Sequence, residues 1–278
     1  MKVESWVEEI FKVQKPIIGM VHVRPLPGSP FYEPGSMGKI IETAVLEAKL
    51  LEDGSVDGLQ VENMWDHPYL KGDEIGHETT AALAVCSYAV QGAVQIPVGI
   101  NCHLNGSIQA LAAAVASNAK WIRVFELANT YISNAGIIEA SGPSALRYRR
   151  TIGAGTVRIL GDVLVKHGSH FITSDRDIRE QAHDVETFKG DAVIVTGGAT
   201  GEQPNVADIE AVRDAVSIPV FLGSGITIDN VEQFLPIMDG AIIGSQFKED
   251  GKWQNPVSLE RTKAFMNRVR SLRQINQE

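Results

Sequence analysis

The sequence predicts a single-domain α/β protein, a (β/α)8 TIM barrel, on three observations. Eight short apolar or β-branched runs recur along 278 residues, amphipathic stretches alternate with most of them, and the long irregular pieces follow the C-terminal ends of runs. Strict strand–helix alternation implies parallel strands joined by right-handed crossovers. Eight such units in about 250 residues match the size of this barrel. A doubly wound open sheet would need fewer strands and usually a dinucleotide fingerprint, and no GxGxxG follows the first run.

The elements read in order as follows. PIIGMVHV (16–23) is the first strand, followed by MGKIIETAVLEAKLLEDG, whose apolar residues recur at helical spacing. DGLQVEN (57–63) and the helix ETTAALAVCSYAVQGA come next, then IPVGINCH (96–103) and SIQALAAAVASNA. KWIRVFEL (120–127) is the fourth strand, and RYRR (147–150) reads as an exposed helix end. TVRILGDVLVKH (156–167) is the fifth strand and DIREQAHDVETFKG its helix. DAVIVTGG (191–198), NVADIEAVRDAV, IPVFLGSG (218–225), IDNVEQFLPIM and GAIIGSQF (240–247) complete the alternation. PVSLERTKAFMNRVRSL reads as a closing helix, with Ser258 as a cap. The barrel domain is expected over 1–278, with residues 1–15 as an N-terminal helical extension.

Composition narrows the class. Hydrophobic residues at 44% and charged residues at 21% are ordinary for a globular protein. A net charge of −9 with no basic stripe argues against a nucleic-acid partner. Two cysteines, Cys86 and Cys102, cannot build a disulfide framework, which favours a reducing compartment. The N-terminus lacks a signal-peptide core and no apolar run is long enough to span a bilayer. A cytoplasmic protein without a transmembrane segment is expected; a homo-oligomer is left open.

Side-chain parity points to the site. Side chains alternate across a strand, so Asp162 and Lys166 in VRILGDVLVKH share a face with Arg158, while Ile159, Val163 and Val165 share the other. The same split places Gln60 and Glu62, Asn101 and His103, Arg123, and Met20 and His22 opposite apolar neighbours. Helices cover the outside of a barrel, so the polar faces point into its lumen near the C-terminal mouth. Any one such group has a bland reading, as when a barrel buries an ion pair of Asp162 with Lys166 or Arg123. Convergence of seven, Gln60, Glu62, Asn101, His103, Arg123, Asp162 and Lys166, favours a site. On one continuous strand, Asp162 and Lys166 would stand about 13 Å apart, suiting a substrate that spans them.

Strand seven ends in Gly223, Ser224 and Gly225, and strand eight in Gly244 and Ser245. Loops at these places commonly bind phosphate through backbone N–H groups and a helix N-terminus. Strand six adds TGGATG (196–201), with Thr196, Gly197 and Thr200. The plain alternative is that the glycines only make tight turns. His22, His103, His167, Glu62 and Asp162 are possible metal ligands, but no HxH or HExxH spacing supports them. No cofactor is assigned and a divalent metal is left open. Lys166 suits either a Schiff base or a point charge beside a developing anion.

The stretches PIIGMVHVRPLPGSP, DGLQVEN, RYRR, ILGDVLVKH, DAVIVTGGATGEQP, VFLGSGIT and DGAIIGSQFK, in this order, resemble the BtpA/SgcQ family across roughly residues 10–270. The resemblance implies a (β/α)8 barrel. It also implies that His22, Pro25, Pro27, Gly28, Glu62, Asn63, Asp162, Lys166, His167, Thr196, Gly197, Gly201, Gly223, Ser224, Gly225 and Gly244 are characteristic positions. Cys102, His103 and Glu126 lie where the family is expected to vary. Members are described as photosystem I biogenesis factors, as barrel enzymes or as nucleosidases. The expected function is an enzyme acting on a phosphorylated small molecule, with nucleosidase-like cleavage of a (phospho)ribosyl compound. Glu62 or Asp162 would stabilise positive charge or activate water, and a histidine would protonate the leaving group. A sugar-phosphate isomerase or aldolase using Lys166, and a non-enzymatic assembly factor, are the alternatives.

Overall fold

The computed structural model describes residues 5–198 and 202–275. The chain runs through α1 (Trp6–Phe11), β1 (Ile17–His22), α2 (Met37–Asp53), β2 (Gly58–Glu62), α3 (His77–Ala93), β3 (Val98–Asn101), α4 (Ser107–Ser117) and β4 (Trp121–Val124). A hairpin of β5 (Thr130–Ser133) and β6 (Gly136–Glu139) precedes α5 (Gly142–Thr151) and β7 (Arg158–Val163). Then come α6 (Ile178–Thr187), β8 (Ala192–Val195), α7 (Val206–Ala215), β9 (Val220–Gly223), α8 (Val231–Phe234), β10 (Gly240–Ile243) and α9 (Leu259–Ile275). Strands β1, β2, β3, β4, β7, β8, β9 and β10 close into a parallel barrel in that order, so the predicted (β/α)8 fold is the one that forms. Among the described residues no helix is long and apolar enough to cross a membrane.

Parity sorts the strands as the sequence pattern implies. Val21, Leu59, Val61, Ile100, Ile122, Val124, Ile159 and Val193 are buried in the large apolar cluster beneath the helices. Ile18, Met20, Trp121, Leu160, Ala192, Ile194, Phe221 and Ile242 fill a separate inner cluster. The N-terminal end of this inner core is closed by α1. Phe11 packs on Trp121 with ring centroids 5.1 Å apart, and Trp6 stacks on Phe221 at 6.1 Å. Glycines on the inner face make the room: a Cβ at Gly58 would lie 2.7 Å from Phe11, and one at Gly99 would overlap the Trp121 indole. Gln60 belongs to this lower layer, accepting from Trp121 Nε1 at 3.2 Å, and so stands below the mouth.

Several strands end earlier than read, at Val124, Val195 and Ile243 among others, and two changes bear on the site and its surroundings. The strand read over 156–167 ends at Val163, because Leu164 turns into the left-handed region at φ 47°. The following segment is drawn sideways onto the hairpin, where Ser169 and Ile132 exchange two backbone hydrogen bonds. Lys166 therefore lies on a loop, and its place does not follow from strand parity. The helix read at IDNVEQFLPIM is only a four-residue α8, continued by a 3-10 turn at Leu235–Ile237.

Candidate active site

The C-terminal mouth holds a cavity of about 340 Å³. His22, Glu62 and Arg123 reach it from strand ends, and Lys166 and His167 from the loop after β7. Ser224 and Gly225 follow β9, and Gly244 and Ser245 follow β10, on the side away from Arg123's strand. Met64, Tyr69, His103, Phe125 and Trp253 add an apolar and aromatic wall.

Glu62 is the anionic centre. Its Oε1 lies 2.9 Å from His103 Nε2, and its Oε2 accepts a 2.6 Å hydrogen bond from Asn101 Nδ2. Burial alone would push this carboxyl up. The His103 ring and its hydrogen bond, helped by His22 and Arg123, outweigh burial and hold it well below the usual carboxylate range. His103 is fixed in turn: Tyr69 stacks on it at 4.3 Å, Phe125 meets it edge-on at 4.8 Å, and its backbone N–H donates to Asn63 Oδ1 at 2.7 Å.

Arg123 and Asp162 form a second, separate unit. Nε and Nη2 of Arg123 donate to the two carboxylate oxygens at 2.7 and 2.6 Å. Both residues are buried. The carboxylate holds the guanidinium charged against the cost of burial. Burial raises the Asp162 carboxyl and Arg123 opposes the rise. Because the two-pronged geometry fits an ion pair, we treat Asp162 as ionised. Its oxygens are thus engaged with Arg123 rather than offered to the cavity.

Burial, then the nearby Arg123 charge, lowers the Lys166 ammonium to about 8. Among the described residues Lys166 has no hydrogen-bonded or ion-paired partner. Burial and the Lys248 charge lower His22 to about 3, so it is neutral near pH 7; its Nδ1 lies 3.4 Å from the Trp253 carbonyl.

The glycine-rich ends divide. A Cβ at Gly244 would make only ordinary contact with His22, at 3.4 Å, so this position opens on the cavity. Gly223 instead packs inward, where a Cβ would lie 2.8 Å from Ile194 and 3.2 Å from Arg123 Nη2. Gly197 and Gly225 are pressed against the backbone at Glu202. Thr196 Oγ1 is buried with no partner among the described residues, while Thr200 and Gly201 lie outside them. No helix start stands at Gly225, since α8 begins only at Val231. Asn101, Asp162, Thr196, Gly197 and Gly223 thus support the cavity from behind rather than line it.

Among the described residues no group of three or more His, Cys, Asp or Glu is placed to hold a metal ion. Tyr69 and Trp253 lie on loops and carry no parity signal; Phe125 falls in the run read as the fourth strand, on the Arg123 parity, but its apolar ring gives no polar signal. His103 is legible in the sequence as a polar inward group and a candidate metal ligand, not as the partner of Glu62.

The BtpA family profile matches residues 13–271. The chain belongs to the BtpA family. An uncharacterized protein of Pyrococcus furiosus is 39% identical over 259 residues, covering 93% of this chain and 96% of its own. The photosystem I biogenesis protein BtpA of Synechocystis sp. is 36% identical over 259 residues, covering 93% and 89%. Among solved structures, phosphoribosyl anthranilate isomerase from Thermus thermophilus superposes with a TM-score of 0.57 at 12% identity, covering 92% and 99% of the two chains. That likeness is one of fold.

Proposed function

We propose that this BtpA-family barrel is an enzyme that binds a phosphorylated small molecule and cleaves a (phospho)ribosyl bond. The observation that carries the reading is Glu62, a buried carboxylate kept ionised by His103 and Asn101 in the cavity that Lys166 also lines. Such a carboxylate is placed to stabilise an oxocarbenium-like centre or to activate water. Glu62 lines the cavity whereas Asp162 does not, so Glu62 takes that role. A neutral His22 is a poor proton donor, whereas an ammonium near 8 is protonated at pH 7 and matched to general-acid work. Lys166 is therefore assigned the proton for the leaving group. The Ser224–Gly225 and Gly244–Ser245 ends supply small residues at the opposite side of the cavity, where a phosphate fits. A phosphoribosyl compound is also what the name of the Thermus thermophilus structural neighbour specifies for that protein.

The lowered Lys166 also favours a second reading, a Schiff base in an aldolase- or isomerase-like reaction. One experiment separates the two. Nucleoside 5′-monophosphates are incubated with the full chain and free base is measured by chromatography, then borohydride is added with ribose 5-phosphate. Base release abolished by Glu62→Gln supports cleavage. A reduced adduct on Lys166 without base release supports the Schiff base. A chain that neither releases base, forms an adduct nor binds these compounds is a scaffold.

A further inference from the structure

We infer that Arg261, on the closing helix, is the residue that selects for the phosphate group of the ligand. The inference rests on the proposed phosphate-binding cavity and names its anion-recognising cation. Arg261 lines the same cavity as Gly244, Ser245 and Gln246. Its Nε donates to the Gln246 carbonyl at 3.0 Å, which fixes the guanidinium plane beside the end of β10. Among the described residues it has no carboxylate within salt-bridge distance, whereas Arg123, the other arginine that lines the cavity, is paired with Asp162.

Three further features agree. Arg261 lies in the first turn of α9, where the helix dipole disfavours a cation, so its charge does not serve the helix. Gly251 also lines the cavity, and a Cβ there would make only ordinary contact with Arg261 Nη2, at 3.5 Å, which puts that nitrogen beside the cavity wall. Of the other cavity cations, Arg123 is spent on Asp162 and Lys166 stands on the β7 side of the barrel, across β8 and β9 from β10. A planar guanidinium with its terminal nitrogens available matches a phosphate monoester, which accepts two parallel N–H bonds. The cavity then has a phosphate end at Arg261 and a reacting end at Glu62 and Lys166.

The test is calorimetric titration of the full chain with ribose 5-phosphate and with ribose, the ratio of affinities measuring what the phosphate adds. Arg261→Gln is expected to lower ribose 5-phosphate affinity about tenfold or more and to leave ribose within about twofold. Arg261→Lys should recover part of the loss, since it returns charge without the planar fork. Inorganic phosphate should compete with ribose 5-phosphate in the unaltered protein and lose that effect in Arg261→Gln. An equal loss for both sugars would mark Arg261 as a strut for Gln246, and an unchanged ratio would put the phosphate elsewhere; either overturns the inference while leaving the cavity reading intact. If the unaltered protein binds ribose 5-phosphate no better than ribose, or binds neither, the cavity reading falls as well.

Discussion

Asp162 and Lys166 stand four positions apart in sequence, yet the fold gives them unlike tasks. Asp162 is locked to Arg123 in the lumen wall, while Lys166 sits past the strand end and lines the cavity. Replacing Asp162 with Asn leaves a buried guanidinium without its counter-charge, so urea denaturation should show a loss of roughly 3–5 kcal/mol. Lys166→Met should stay within about 1 kcal/mol of the parent in the same assay but lose most turnover or ligand affinity. The pH dependence of Lys166 has two opposite signs. Its folded value of about 8 lies below the ordinary 10.5, so between these the unfolded chain binds more protons and this group's contribution to stability rises with pH. Affinity for an anionic ligand moves the other way, falling as pH passes 8 and the charge is lost. Titration with ribose 5-phosphate at pH 7 and 9.5 should show the fall in the parent and a flatter response in Lys166→Met. Parity made Glu62, Asn101, Arg123 and Asp162 legible as inward residues, because those positions lie on regular strand. It gave no valid reason for Lys166, whose loop is set by the hairpin contact at Ile132–Ser169.

At the scale of elements, all eight barrel strands could be read from short β-branched runs, and the hairpin could not. TYISNAGIIE does carry a signal, two apolar pairs flanking a turn whose Gly136 has φ 101°, but its first strand is short and half-exposed. The short α8 was overestimated because Pro236 stands within the apolar periodicity and ends the regular helix. The glycine-rich ends were read as one phosphate cradle, although glycine at Gly223 answers to packing against Ile194 and Arg123. The extension ahead of β1 matters more than its length suggests, since α1 seals the barrel floor. Phe11→Ala should cost about 3–5 kcal/mol by thermal or urea unfolding. Gly99→Ala should be worse tolerated than its single methyl implies, because the Trp121 indole already occupies that space.

For the molecule as a whole, the seam between β1 and β10 is reinforced by charge. Glu47 on α2 and Lys248 beyond β10 form a buried 2.7 Å ion pair, and Arg273 on α9 pairs with Asp57, which in turn accepts from the Ile17 N–H at 2.7 Å. Burial lowers the Lys248 ammonium while Glu47 counteracts the shift. Glu47→Ala should therefore destabilise by roughly 3–5 kcal/mol, and Glu47→Leu with Lys248→Met should recover much of it, as a denaturation cycle of single and double variants can show. The overall net charge of −9 carries no trace of this seam or of the cationic end of the cavity, because composition averages over positions that only the fold brings together.

The same seam fixes an order of events during synthesis. The edge of β1 is among the first barrel backbone to emerge from the ribosome, and its partner β10 is the last strand to follow. Until then a nascent chain carries an unpaired strand edge and a glutamate whose counter-ion has not yet been made. Only once β10 has been made, and at no earlier domain-sized intermediate, can this barrel first become closed.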